Sequence, residues 1–219
     1  NFPALGALAQ TITVTVNGDL VVEDNETIIL TLSNPVNGGI GTNPVGTGTI
    51  TNDDLATLTF AGGTSHAEGG IPFTFTANIN KAVQGGFTIA YNTNDGTATL
   101  ADSDYGDNDG TLTFSGAVNE TQTFVVNSVT DNKVELDETF TTELGLLGGT
   151  SAVQIAAITV TGSPQTGTIT NDDGATVALA GSVSQSEAIT PQSFMVTHSN
   201  PVDVNVTVQF STANNTATT

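Results

Sequence analysis

The chain has 219 residues, of which 37% are hydrophobic, so it is long enough to bury a core. Only two basic residues, Lys81 and Lys133, accompany 22 acidic ones, and the formal net charge of −20 excludes nucleic acid and anionic lipid surfaces as partners. Cysteine is absent, which excludes disulfides and thiolate metal sites, and no apolar run is long enough for direct membrane insertion.

Apolar and polar residues alternate in short runs rich in Thr, Val, Ile and Phe, a pattern typical of strands. Between residues 55 and 173 we predict seven strands, namely Ala56–Gly62, Ile71–Asn80, Phe87–Asn92, Gly110–Phe114, Gln122–Val129, Glu138–Leu146 and Ile155–Thr170. The last strand is interrupted near Gly162-Ser163-Pro164, and no segment shows a helical apolar stripe. This spacing predicts an all-β fold, a seven-stranded antiparallel sandwich of the immunoglobulin-like type.

An internal repeat divides the chain. Residues 46–54 (GTGTITNDD) recur as residues 165–173 (QTGTITNDD), a shift of 119 residues. We therefore predict that residues 55–173 form one complete repeat, with residues 1–54 the C-terminal part of a preceding repeat and residues 174–219 the N-terminal part of a following one. A partial sandwich leaves an apolar face and open strand edges exposed to water.

The acidic residues of the complete repeat are gathered in predicted loops, around residues 68, 102–109, 131–138 and 172–173. Loops of a sandwich cluster at its two ends, so carboxylates from several loops can converge there. Like charges held together raise each other's pKa unless a cation offsets them. Oxygen ligands at flexible spacing suit Ca²⁺, whereas Mg²⁺ requires stricter octahedral geometry. A solvated acidic loop remains the alternative interpretation.

Several motifs in a fixed order resemble the Calx-beta domain: residues 95–98 (DGTA), 103–105 (SDY), 110–114 (GTLTF), 129–140 (VTDNKVELDETF) and 168–173 (TITNDD). The resemblance covers the complete repeat and both partial ones, and it implies tandem sandwiches that bind Ca²⁺. In the complete repeat it places calcium ligands at Glu68, Asp104, Asp131, the backbone carbonyl of Lys133, Glu135, Asp172 and Asp173. In the preceding repeat it places them at Asp19, Glu23, Asp53 and Asp54.

Three residues indicate weaker binding than in the strongest calcium-binding members. Thr130 and Asn171 stand where those members have Asp, so we expect fewer ions or looser binding. The ammonium group of Lys133 is also expected near the site, where it lowers the affinity for a cation.

We interpret the chain as a calcium-binding structural and adhesive array of a large extracellular protein, of the kind found on bacterial surfaces, and not as an enzyme. Without a flexible linker between repeats, Ca²⁺ is expected to stiffen both the units and their junctions. The two histidines, His66 and His198, correspond to Gln185 and Ile79 under the repeat and mark no repeated site. Expected partners are calcium ions, neighbouring repeats of the same chain, and a cell-surface or glycan ligand.

Two other functions remain open at this point. The first is a regulatory calcium sensor within a larger membrane protein. The second is a carbohydrate-binding module, which requires an exposed aromatic platform, whereas the few aromatic residues fall mostly at predicted inward positions.

Overall fold

The computed structural model describes residue 6, residues 8–188 and residues 191–216; residues 1–5, 7, 189–190 and 217–219 of the predicted partial repeats lie outside the described residues. The described part of the chain contains thirteen strands and one short helix. Their bounds are β1 Glu26–Thr31, β2 Val45–Ile50, β3 Ala56–Ala61, β4 Ser65–Ala67, β5 Phe73–Ile79, β6 Phe87–Asp95, β7 Gly110–Phe114, β8 Thr121–Val126, β9 Glu138–Gly148, α1 Ala152–Ala157, β10 Ile158–Thr161, β11 Gln165–Thr170, β12 Val177–Leu179 and β13 Val196–His198.

Two sheets pack face to face in the central part of the chain. One has the strand order β10-β3-β5-β8 and the other the order β4-β11-β9-β6-β7. Because side chains alternate along a strand, one face of each sheet carries the apolar residues, as in β5, where Phe73, Phe75, Ala77 and Ile79 are all buried. The predicted all-β immunoglobulin-like sandwich is confirmed.

Aromatic rings fill the space between the sheets. Phe140 of β9 is fully buried, with ring centroids 5.0 Å from Phe73 and 4.8 Å from Tyr105. Phe87 and Phe114 stack at 4.6 Å on the strand pair β6–β7. Burial of each such ring stabilises the fold by about 2 kcal/mol. The predicted inward placement of the aromatic residues is confirmed for all five of these rings, Phe73, Phe87, Tyr105, Phe114 and Phe140.

The first and last strands of the central unit are each divided between the two sheets. β3 lies in the first sheet and β4 in the second, and likewise β10 and β11. The predicted interruption at Gly162-Ser163-Pro164 is where the chain crosses from β10 to β11. Gly162 has φ +79°, and a Cβ there would lie 2.2 Å from the carbonyl oxygen of Phe60, so this crossing requires glycine. The pairs β3–β10 and β4–β11 are parallel, whereas the other pairings are antiparallel.

Two elements differ from the sequence-based expectation. The predicted strand from Ile155 begins instead as helix α1, because Ser151 caps it: its hydroxyl accepts the N–H of Gln154, whose side chain in turn interacts with the Ser151 backbone. The three-residue strand β4 was not predicted, and it pairs only with β11. No helix among the described residues is long and apolar enough to cross a membrane.

The repeat is visible in the strand register. Glu26 pairs with Ile50 in the hairpin β1–β2 as Glu138 pairs with Ile169 between β9 and β11. In the same way, β12 and β13 reproduce the register of β3 and β5. These flanking hairpins expose apolar side chains; Ile29 is 70% exposed and Leu179 62%.

Candidate metal centre

Four chain segments bring carboxylates to one end of the central sandwich. Strands β4 and β11 are parallel, so their C-terminal ends lie together, and the N–H of Glu68 donates to the carbonyl oxygen of Thr170 at 3.3 Å. Strand β9 is antiparallel to β11, and therefore its first residue, Glu138, reaches the same end. The carbonyl oxygen of Asp104 accepts the N–H of Val129 at 2.9 Å, which ties the β6–β7 loop to the β8–β9 loop.

The first carboxylate group consists of Glu68, Asp131 and Asp173, which offer oxygen atoms within 4.8 Å of one another. Glu68 is only 7% exposed, and the Oδ2 atom of Asp173 is buried without a hydrogen-bond partner. Burial, followed by the negative charges of Asp131, Glu135, Asp172 and Asp173, raises the pKa of Glu68 to about 7. The group thus combines buried oxygens with unfavourable charge repulsion.

The second group consists of Asp104, Glu135 and Glu138, again with oxygen atoms within 4.8 Å of one another. Asp104 is 8% exposed, and its Oδ2 accepts the N–H of Thr99 at 2.6 Å. Burial, then the charge of Asp104 and a hydrogen bond with it, raise the pKa of Glu138 to about 7. Burial also raises the pKa of Glu135, although the neighbouring Lys133 partly offsets this.

Glu138 was missed among the sequence-predicted ligands. Its signal lay in the alternation along β9, because Glu138 occupies the same face as the buried residues Phe140 and Thr142. A carboxylate on the inward face at the end of a strand lies beside the end loops rather than in bulk water.

Asn171 organises the site through backbone contacts. Its Oδ1 accepts the N–H of Glu135 at 2.9 Å, and its Nδ2 donates to the carbonyl oxygen of Asp173 at 2.9 Å. Asn171, which stands where the strongest calcium-binding members have Asp, therefore has a structural role of its own, because an Asp could not donate the bond to Asp173. Asp172 is exposed and, among the described residues, belongs to neither carboxylate group.

Lys133 places its ammonium group beside the second group. Its Nζ lies 2.6 Å from Glu135 Oε1, 2.7 Å from Asp102 Oδ2 and 2.9 Å from Asp203 Oδ2. Hydrogen bonds to these three carboxylates raise the pKa of Lys133, so it remains charged. Its backbone N–H donates to Asp131 Oδ1 at 2.7 Å. The ammonium group thus lies near the site as expected.

The preceding repeat reproduces the scaffold of the site. Asp19 Oδ1 accepts the N–H of Val21 at 2.8 Å, Asn52 Oδ1 accepts the N–H of Glu23 at 3.0 Å, and Asn52 Nδ2 donates to the carbonyl of Asp54 at 3.0 Å. These bonds match those of Asp131 and Asn171.

Four acidic residues of the preceding repeat line one cleft, namely Asp19, Glu23, Asp53 and Asp54. Burial, then the charges of Asp19, Glu26 and Asp54, raise the pKa of Glu23. Among the described residues, the groups of three carboxylates with oxygen atoms within 4.8 Å of one another consist of residues of the central unit and Asp203.

The donor set suits a hard divalent cation. The two groups contain carboxylate oxygens alone, and Asp173 Oδ2 is buried without a hydrogen-bond partner, so a cation fits its chemistry. Oxygen donors from several flexible loops are typical of calcium sites. Softer metals favour imidazole or thiolate ligands, which neither group supplies.

Comparison with known proteins gives one family. The sequence pattern of the Calx-beta domain matches residues 4–55, 68–174 and 170–219. Among solved structures, the apo form of the Calx CBD1 domain is similar at 23% identity over 55% of this chain and 100% of that one, with a TM-score of 0.47. The calcium binding domain CBD12 of CALX1.1 is similar at 24% identity over 57% of this chain and 50% of that one, with a TM-score of 0.46. No curated protein sequence matches the chain.

Proposed function

Because the chain belongs to the Calx-beta domain family, we propose that it binds Ca²⁺ at the loop end of each repeat and acts as a structural, adhesive array of a large extracellular surface protein. The family supports calcium binding, and the tandem repeats support the array. The acidic, cysteine-free composition supports the extracellular setting.

The observation that carries the calcium proposal is the convergence of Glu68, Asp131 and Asp173, with Glu68 buried and Asp173 Oδ2 unpartnered. Buried carboxylates without a counter-charge are costly, and they raise their own pKa to reduce that cost. Glu68, Asp131 and Asp173 would hold one ion, and Asp104, Glu135 and Glu138 would hold a second. Bound Ca²⁺ would neutralise this charge.

The position of the site supports a role in stiffening. Asp173 lies between β11 of the central unit and β12 of the following one, and Asp54 lies between β2 and β3 in the same way. Residues that hold an ion at these positions restrain the junction as well as the loops. The array's partners would be Ca²⁺, its own neighbouring repeats and a cell-surface or glycan ligand, and no residue is assigned a catalytic role.

Calcium-linked stability tests this proposal. Melting of the 219-residue chain is followed in chelator, in millimolar Ca²⁺ and in millimolar Mg²⁺. Ca²⁺ should raise the stability by about 2.7 kcal/mol at a hundredfold excess over its Kd, and Mg²⁺ by less. Identical melting in chelator and Ca²⁺ would sink the proposal.

Two variants and a matched control locate the effect. Glu68→Gln and Asp131→Ala should lose the part of the calcium-dependent stability that comes from the ion held by Glu68, Asp131 and Asp173. Glu143→Gln should retain it, because Glu143 is an exposed acid five residues farther along β9 than Glu138, at a distance of about 17 Å. Calorimetric titration then separates the array from a sensor: extracellular modules bind at about 10⁻⁴ to 10⁻³ M and sensors at about 10⁻⁷ to 10⁻⁵ M.

A further inference from the structure

The two junctions between repeats share one main-chain contact. At the second junction, the N–H of Val134 donates to the carbonyl of Pro201, and the N–H of Asp203 donates to the carbonyl of Val134, both at 3.0 Å. At the first junction, Val22 makes the same pair of bonds with Ala82 and Gln84, both at 2.9 Å.

These residues are equivalent under the repeat. Val22 and Val134 both follow the Asp that opens the acidic loop by three residues, and residues 82–84 correspond to 201–203 at the shift of 119. We call residues 82–84 and 201–203 the docking turns. Each acidic loop therefore contacts the docking turn of the next repeat by a short parallel bridge, Val22 with Val83 and Val134 with Val202.

At the first junction this contact is packed as well as hydrogen-bonded. Val22 is 0% exposed and Val83 is 1% exposed, and both belong to the apolar core of the central unit. A side chain from the preceding repeat thus completes the core of the next one. A loose tether between repeats would not bury such a residue.

The side chains beside the bridge differ between the two junctions. At the second junction Lys133 Nζ lies 2.9 Å from Asp203 Oδ2, and the Lys133 side chain is only 20% exposed. The equivalent residues at the first junction, Val21 and Gln84, are uncharged. There Gln154 supplies the added contact across the junction instead, because its Nε2 donates to the carbonyl of Val22 at 3.4 Å.

We propose that successive repeats dock through this bridge, and that the residues at positions 133 and 203 select the neighbour by charge: a repeat with Lys before its bridging Val accepts a following repeat with an acid in its docking turn. The interaction needs no metal, although Lys133 also contacts Glu135 of the second carboxylate group. The residues at these two positions would therefore determine which repeat can follow which along the array.

Native-state hydrogen exchange in chelator tests the docking and the pairing on the full chain. The amides of Val134 and Asp203 should be protected. Asp203→Lys, which removes one partly exposed ion pair, should speed their exchange about threefold. Lys133→Glu, which also removes the contacts with Asp102 and Glu135, should speed it at least as much. The double variant K133E/D203K should restore protection, while the amides of Val22 and Gln84 stay unchanged. Unprotected Val134 and Asp203 amides in the unaltered chain would overturn the docking, and an absence of loss or of restoration would overturn the charge pairing.

A gain-of-contact experiment leaves residues 131–135 intact, in case Lys133→Glu disturbs them. Val21→Lys combined with Gln84→Asp installs the pair at the first junction. The double variant should slow exchange of the Gln84 amide by about threefold relative to the product of the two single effects. Purely additive effects would contradict the proposed pairing.

Discussion

Asn171 donates a hydrogen bond from its side-chain amide to the carbonyl oxygen of Asp173, over 2.9 Å. The bond fixes the backbone of the residue that carries the unpartnered buried oxygen of the candidate metal centre. Asn52 makes the same bond to Asp54 one repeat earlier, over 3.0 Å. The amide therefore belongs to the repeated scaffold of the site.

Replacing Asn171 by Asp should destabilise the metal-free protein. Asp retains an acceptor for the N–H of Glu135 but cannot donate to Asp173, and it adds a negative charge beside the acidic groups. We expect a loss of about 1–2 kcal/mol in chelator, measured by denaturant unfolding. Asn171→Ala, which removes both bonds without adding charge, is the control. If Asn171→Asp is as stable as the unaltered chain in chelator, the amide does not have this role.

The metal-free protein should become less stable as the pH rises from about 5 to about 7. The folded chain holds Glu68 and Glu138 at pKa values of about 7, against an ordinary value of 4.5, so in this interval it binds more protons than the unfolded chain. The stabilising contribution of these two protonated groups is therefore complete below pH 4.5, and it is lost as the groups ionise while the pH rises through about 7. Melting in chelator across this range measures the slope. Glu68→Gln with Glu138→Gln should flatten it, and a rising stability over the same range would show that the two raised pKa values do not control it.

Asp172 and Asp173 should differ in their effect on calcium binding. Asp173 contributes an oxygen to the first carboxylate group, whereas Asp172 is exposed and, of the residues described, joins neither group. Asp173→Asn should weaken calcium affinity about tenfold or more, and Asp172→Asn should weaken it only through the loss of a nearby charge. Calorimetric titration of the two variants compares them at equal net charge. Equal losses would place Asp172 among the ligands, as the family resemblance predicts.

Gly167→Ala should destabilise the central unit by about 1–3 kcal/mol through overpacking. A Cβ at position 167 would lie 2.4 Å from the ring of Phe140, which other rings hold in place. Gly48→Ala is the matched control in the preceding repeat, because its Cβ would lie 3.1 Å from a side-chain carbon of Ile28. Denaturant unfolding should show the larger loss for Gly167→Ala. A larger loss for Gly48→Ala would mean that the Phe140 ring can move aside.

Long alternating segments were predictable from the sequence because packing enforces the alternation. β5 and β7 lie within the predicted strands, and β7 has the predicted bounds Gly110–Phe114. Helix α1 was missed because six residues are too few to show a helical stripe, although the Ser151 and Gln154 capping box was visible in the sequence. β4 was missed because a three-residue strand shows no alternation, and its partner β11 is about a hundred residues away.

Part of the candidate site was also predictable. The family resemblance indicated Glu68, Asp131 and Asp173, whose oxygen atoms the fold brings within 4.8 Å of one another. The approach of Asp203 to Lys133 was not predictable, because it depends on how two repeats sit against each other. Asp172 and Asp173 look alike in the sequence, and only the direction of the chain after β11 separates an exposed carboxylate from a partly buried one.

The parallel pairing of the first and last strands determines how a repeat responds to tension. A pull on the two ends of the chain draws the N-terminal end of the central unit one way and its C-terminal end the other. Because β4 and β11 lie side by side and parallel, as do β3 and β10, that pull slides the strands along each other. The hydrogen bonds between them are then strained together rather than opened one at a time. The terminal strands of the central unit are thus the part of the fold that is placed to resist extension.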